Sequence, residues 1–476
     1  MNYNIVIGLL EKLGYRTISA EYYQAQERWL QWYNGNVEKF HNVIIDTGTQ
    51  KLNYTRFKSG MAKQVCEDWA DLLLTEKVKI AVGGEAENKF VQKVLLSNNW
   101  QTIGNESQEA KAAYGTVAYV PHIKGAVIDD CGSPTGTAAG IDIDYINGDS
   151  IFPLSWHNGK FVEVAFAKEE TVQKKEYIIL QLHVLAPDQT YHILHHLFER
   201  TRGTFREVPL SALPEYAAIQ PELLTGTNQP QFVIDKFQIR NTIRNSGPMG
   251  MSIYAGAVDQ LKAVDISYDS YVNEFVLGKK RIMVKLGAMK DAYTGEPVFD
   301  SSDLVYYALP EDGMQESFIK EIDMNLRISE HSQGIQDMLN VLSRRCGLGN
   351  GYYRFDEGNF TTATHVISAS SKLFRTIKKH EVPLEAAISD MIRIILHLAN
   401  KYMGEQFNES CEVKIDFDDS IIEDTNAQFT RDMQLVGAGA MHAWELRKRY
   451  MGETEADAKK NVPKLKELVD EDPPEE

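Results

Sequence analysis

From Thr361 to about Met403 the chain keeps helical periodicity with no turn signal, and Pro383 stands inside that run. Forty-odd helical residues span roughly 60 Å, which is long for a compact domain. Proline removes one helix hydrogen bond and its ring clashes with the preceding turn, so a kink or break is expected at Pro383. Val382, just before it, is pushed away from helical dihedrals. A second constraint lies upstream. Residues 251–277 and 329–345 read as helices, but a non-helical insert, about 278–326, separates them. The insert holds strand-like runs at 281–286 and 304–309 with turn residues between them. Such a chain makes a poor compact monomer. It suits a radial wedge that buries its faces on neighbours, and head-to-tail contacts that close by rotation make rings.

The rest of the chain is mixed. Residues 21–40 and 58–76 read as helices, the second with Met61, Val65, Trp69, Leu72 and Leu73 on one stripe. A strand at 77–82 and a helix at about 86–97 follow. From about Gly115 the period changes to two, giving strands at 115–121, 140–146, 160–166, 177–185 and 191–198. Prolines 209, 214, 221 and 230 mark a loop-rich stretch, and no repeat of fixed period is present. The C-terminal part reads as a short strand at 412–417 and helices at 426–450 and 453–468. The fold class expected is α+β.

Length sets the number of parts: 476 residues suggest two to four domains. With 43% apolar and 25% charged residues the chain is neither fibrous nor mainly disordered. Its net charge is 50 − 67 = −17, the reverse of a sequence-independent DNA-binding surface. Residues 404–476 carry 19 acids against 9 bases, a net of −10, and the last ten residues read as a frayed acidic tail. Cys66, Cys131, Cys346 and Cys411 form no CxxC pair, so no zinc ribbon is readable and a reducing compartment is the better fit. No apolar run reaches the roughly 18–20 residues that span a bilayer. The start, MNYNIVIGLLEKLGYR, lacks a basic n-region and reads as an amphipathic segment rather than a signal peptide.

The chemistry-bearing patterns are weak. A phosphate-binding loop needs glycine five residues before Gly-Lys, but Leu154 and Asn273 stand there. Gly347, Gly349 and Gly351 follow a helix, and the third glycine of a dinucleotide fingerprint would fall on Tyr352, so a connector and helix C-cap explain them better. GMSIY (250–254) misses the hydrolase elbow at Tyr254, and Ser252 is read as a helix N-cap instead of a nucleophile. His192, His195 and His196, with Glu199 as the only close acid, are the metal candidates. On a strand His195 and His196 point to opposite faces, so a half-exposed strand is the simpler reading. The pairs Asp129–Asp130 and Asp418–Asp419 read as solvated. Lys372, Arg375 and Lys379 share one helical face, beside Lys378, and are either a solvated, ion-paired face or a contact to DNA or to a neighbour. Lys279, Lys280, Arg281 and Lys285 open the insert, either as a docking patch or as strand-edge lysines that block aggregation.

Four strings in this order are familiar: SGPMGMSIYAGAVDQLKAVDISYDS (246–270), CGLGNGYYRF (346–355), TATHVISASSKLFRTIKKHE (362–381) and DFDDSII (416–422). Together they make the chain resemble the portal proteins of tailed bacteriophages, in the branch found in phages of Gram-positive hosts. The resemblance spans nearly the whole sequence and rests on the joint order of the strings. It implies a portal-like architecture: a mixed α/β wing at about 1–250, a stem helix at 252–276, a small clip at 277–328 and a second stem helix at 329–346. A tunnel loop at 347–361 would follow, with Asn350, Tyr352, Tyr353, Arg354, Asp356, Glu357 and Asn359 facing the DNA channel. The kinked helix 362–403 and a helical crown with an acidic tail, 404–476, would complete it. Implied with these are a ring of about twelve copies at one capsid vertex, through which double-stranded DNA is packaged and ejected. The implied partners are the terminase large subunit, a head–tail adaptor, and the major capsid and scaffolding proteins, with no membrane. Lys279, Lys280, Arg281 and Lys285 would lie where the clip meets its partners. The implied location is the virion, reached through the host cytoplasm. No catalytic residue, cofactor or metal is implied. A soluble metal-dependent hydrolase built on the 192–196 histidines, and a capsid scaffold without a channel, stand as alternatives.

Overall fold

The computed structural model describes residues 2–46, 48, 50–75, 77–125, 138–278, 281–285, 306–309, 319–322, 325–355, 363–417, 425–451 and 453–462. It divides into two compact units, Met1–Asp416 and Phe417–Glu476.

The first unit begins with α1 (Tyr3–Lys12), α2 (Ala20–Tyr33) and α3 (Glu38–His41), then the hairpin β1 (Asn42–Asp46) and β2 (Lys51–Thr55). The helix expected over 21–40 is interrupted between α2 and α3, where Gly35 turns the chain at φ 61°. Next come α4 (Met61–Leu73), β3 (Lys79–Val82), α5 (Glu85–Ser97) and α6 (Trp100–Tyr114). In α4 the buried Ala62, Val65, Trp69 and Leu73 recur every three or four residues, as its stripe predicts. No stripe announces α6, because it buries Gly104, Ser107, Gln108 and Lys111.

Nine strands follow: β4 (Thr116–Lys124), β5 (Gly140–Asn147), β6 (Ile151–His157), β7 (Lys160–Val172), β8 (Lys175–Leu185), β9 (Tyr191–Thr201), β10 (Thr204–Val208), β11 (Glu222–Leu224) and β12 (Val233–Lys236). β4 lies between β12 and β5, antiparallel to both. β6 to β10 form an antiparallel meander, and β11 adds to β9. Three of its hairpins turn on two residues at positive φ: Asn158–Gly159, Gln173–Lys174 and Arg202–Gly203. That geometry matches strand twist, and only the first pair carries the usual sequence signal.

The helix expected from 251 starts later, as α7 (Val258–Leu277), after a single 3₁₀ turn. Ser252 is therefore not its N-cap. Its Oγ is buried and donates to the Ala112 carbonyl, because residues 249–253 pack against the end of α6. There a Cβ on Gly250 would meet the Gly115 carbonyl oxygen at 2.1 Å. The insert contains β13 (Arg281–Lys285), β14 (Tyr306–Leu309) and β15 (Ile319–Ile322), with β13 central, parallel to β14 and antiparallel to β15. α8 (Ile328–Arg345) returns alongside α7 and ends as expected at a glycine cap. Gly347 has φ 84°, and the Leu348 N–H donates to the Ser343 carbonyl.

α9 (Ala363–Met403) runs as one helix through Pro383, and β16 (Val413–Asp416) pairs with β3. The expected break does not occur. Ile377 and His380 before the proline and Leu384 and Ile388 after it are all buried. That packing on both flanks outweighs the roughly 3 kcal/mol a mid-helix proline costs.

The second unit holds α10 (Thr425–Gly437), α11 (Ala443–Met451) and α12 (Glu455–Lys460). The helix expected over 426–450 is divided after Gly437, with Gly439 at φ 71°. Asp432 accepts from Arg449 and Tyr450 and ties α10 to α11. Thr454 caps α12, and the expected continuation past 462 lies outside the described residues.

One tie across α7 and α8 predicts an acid response. Glu274 accepts from the Arg327 guanidinium through Nε at 3.1 Å and Nη2 at 2.8 Å, and from its backbone N–H. Those side-chain hydrogen bonds hold its carboxyl down to about 2. The folded value lies below the unfolded one, near 4.3. The contribution is therefore complete above that value and is lost as pH falls toward 2. The melting temperature of the parent should fall more steeply between about pH 5 and 2 than that of Glu274→Gln. Parallel curves would show that the tie contributes nothing.

Candidate functional site

The residues expected in the tunnel loop begin where α8 ends. Trp69 on α4 donates its indole N–H to the Cys346 carbonyl at 3.0 Å, and Leu348 is buried. Tyr353 donates its hydroxyl to the Asp68 carboxylate. Gln336 on α8 holds the same segment twice, donating to the Tyr353 carbonyl and accepting from the Phe355 N–H. Tyr352 stands edge-on to Tyr353, and Phe355 edge-on to Tyr271 of α7. Burial pushes the Tyr352 and Tyr353 phenols up, and Asp68 with them, so the tyrosines stay neutral. Residues 346–355 thus form an anchored strap in which Asn350, Tyr352 and Arg354 face solvent and Tyr353 is half-buried. Asp356, Glu357 and Asn359 lie outside the described residues.

Lys372, Arg375 and Lys379 are all exposed on α9, on the side away from the buried Ile377 and His380. The helical spacing brings these three together as expected. Lys378 turns aside to Glu381 at 3.0 Å. In the insert, Lys279 and Lys280 lie outside the described residues, and Arg281 and Lys285 open and close β13. Because β13 is paired on both sides, the strand-edge reading of these two residues is wrong.

The metal candidates are not assembled. His192 pairs with Glu222 at 2.8 Å and His196 with Glu207 at 2.7 Å, while His195 bonds the Gln220 carbonyl from the other face of β9. Glu199 is taken by Lys175. Each histidine has its own partner, as a half-buried strand provides, and no group of three ligating side chains occurs among the described residues. Cys66, Cys346 and Cys411 are buried free thiols, and burial pushes Cys346 up to about 12, far from a reactive thiolate. Cys131 and the pairs Asp129–Asp130 and Asp418–Asp419 fall outside the described residues. No described helix is long and apolar enough to cross a membrane.

One surface escaped sequence reading. At the end of the α7–α8 pair nearest the insert, Phe275, Val276, Leu277, Leu326 and Ile328 are all exposed, Leu277 by 58%. The run EFVL at 274–277 was its only signal. An apolar cluster of this kind marks a contact surface more often than a free one.

A solved structure described as "Neck of native GTA particle computed with C12 symmetry" aligns with 82% of this chain and 89% of its own, at TM-score 0.38 and 12% identity. No curated protein sequence matches. The family model described as "Phage portal protein, SPP1 Gp6-like" matches residues 15–471, almost the whole chain. The chain therefore belongs to the SPP1 Gp6-like family of phage portal proteins.

Proposed function

We propose that the protein closes into a ring of about twelve copies at one capsid vertex, and that double-stranded DNA passes along its axis during packaging and ejection. The observation that carries this reading is the exposed apolar end of the α7–α8 pair, which a neighbouring copy would cover. In this reading 1–250 is the wing, α7 and α8 are the stem, 277–328 is the clip, 347–361 is the tunnel loop and 404–476 is the crown. The protein is a structural conduit, not an enzyme, and the force comes from the terminase large subunit docked at the clip, where Lys279, Lys280, Arg281 and Lys285 cluster. A head–tail adaptor takes that place after packaging, and capsid and scaffolding proteins hold the wing. In this reading the phage is one of a Gram-positive host, as the resemblance carried by the joint order of the four strings implies.

The acidity fits a conduit. A polyanion sliding through a tube must not stick, and a net charge of −17 per chain keeps counterion-release binding weak. Lys372, Arg375 and Lys379 form a short exposed basic face, suited to guiding DNA or to meeting an acidic neighbour. A bend at Pro383 would set the direction of α9 along the channel wall.

Native mass measurement of the purified protein tests this. The expected mass is about twelve times 53.9 kDa, with an axial hole in negative-stain images. Chains that stay single under all conditions overturn it, and closed assemblies without a hole favour the scaffold alternative.

A further inference from the structure

A cavity of about 590 Å³ lies between the β6–β10 meander, β4 and β5, and the C-terminal half of α9. Its size suits a small organic molecule. Three polar side chains that line it are buried and meet no hydrogen-bond partner among the described residues: His183 at both ring nitrogens, Gln231 at Nε2 and Tyr402 at Oη. They are 0%, 6% and 3% exposed. Buried polar groups are nearly always paired, so three together on one cavity point to something that meets them. The imidazole is fixed in place by Phe166 and Phe232, edge-on at 5.5 and 5.3 Å.

Among the described residues the interior carries no charge. Burial, with His195 close by, holds the His183 imidazolium down to about 3, so the ring is neutral at ordinary pH. Charges occur only among the exposed lining residues: Asp144 lies 3.6 Å from the His122 ring, and Lys168 is bonded to Glu170. Ile179, Ile193 and Leu398 supply apolar wall. Among the described residues an anion entering would find no buried cation and a cation no buried carboxylate, so either would lose its hydration without return.

We propose that this cavity is a binding site for an uncharged aromatic amide or a lactam of similar size. A carbonyl oxygen would accept from the Gln231 amide and the Tyr402 hydroxyl. An amide N–H would donate to the unprotonated nitrogen of His183, and the ring would rest on the apolar wall. This site is independent of the ring and of DNA passage.

The probe is benzamide, with benzoate as its charged isostere, titrated calorimetrically onto the full-length protein in its native assembly. Benzamide should bind saturably at one site per chain, and benzoate at least about tenfold more weakly. Tyr402→Phe should weaken benzamide about tenfold, the scale of one buried hydrogen bond. It should also leave the melting temperature unchanged or raise it, because an unpartnered buried hydroxyl is removed. Gln231→Leu should behave alike. Absence of benzamide binding overturns the proposal, as does equal binding of benzoate or of the variants. A fall in melting temperature on Tyr402→Phe also overturns it, because the hydroxyl would then be bridged by structural water.

Discussion

Asp235→Ala is expected to cost about 3–5 kcal/mol of folding stability, the loss that follows when one partner of a buried ion pair is removed. Asp235 on β12 and Lys111 on α6 are completely buried, and the Lys111 ammonium reaches both carboxylate oxygens, at 3.1 and 3.0 Å. The same carboxylate accepts from Gln108 at 3.0 Å and Tyr119 at 3.1 Å. The ammonium also lies 4.7 Å from the Phe237 ring. Burial pulls the Lys111 pKa down and Asp235 pulls it back up. Without the carboxylate, Lys111 keeps its desolvation penalty and loses its compensation, while the Tyr119 hydroxyl loses its acceptor and the Gln108 amide loses one of two. The pair joins α6 to the sheet on which α9 rests, so the damage reaches the element that carries the exposed basic face. Lys111→Met combined with Asp235→Leu should recover much of the loss, because no lone charge then remains. Denaturant unfolding measures both, and a single variant within about 1 kcal/mol of the parent would show the pair is not isolated from water.

The second large effect concerns assembly. Phe275→Asp together with Leu277→Asp should convert the proposed ring to single chains in native mass spectra, with at least about a hundredfold weaker association. Each substitution would place a carboxylate in a contact from which water is excluded, with no cation assigned to meet it. The chain itself should still fold, since these side chains are 42% and 58% exposed within it. Leu96→Asp is the control, because Leu96 on α5 is 79% exposed and lies outside the α7–α8 pair. A control that dissociates equally, or a double variant that stays a ring, would remove this surface from the interface.

The Pro383 helix shows where local rules stop. A proline and the residue before it both disfavour helix, yet α9 continues because Ile377, Leu384 and Ile388 are buried on one continuous side. Ser252 makes the same point on a smaller scale: a good capping residue is drawn instead to the Ala112 carbonyl of another element.

Local sequence located β3, β4, β5, β7–β9, β13, β14 and β16, α5, the stripe of α4, the two helices flanking the insert, and the glycine stop after α8. Each of these is written in residues close together in the chain, where a period of two or 3.6 or a single glycine conformation suffices. The order of four strings likewise carried the family. Tertiary structure alone decided the rest: α6, whose buried face is polar and small; the central position of β13; and the separate partners of His192, His195 and His196. It also brought His183, Gln231 and Tyr402 to one cavity from β8, the approach to β12 and the end of α9. No local pattern encodes those meetings, because they depend on which layers stack and on which polar groups that stacking leaves without a partner.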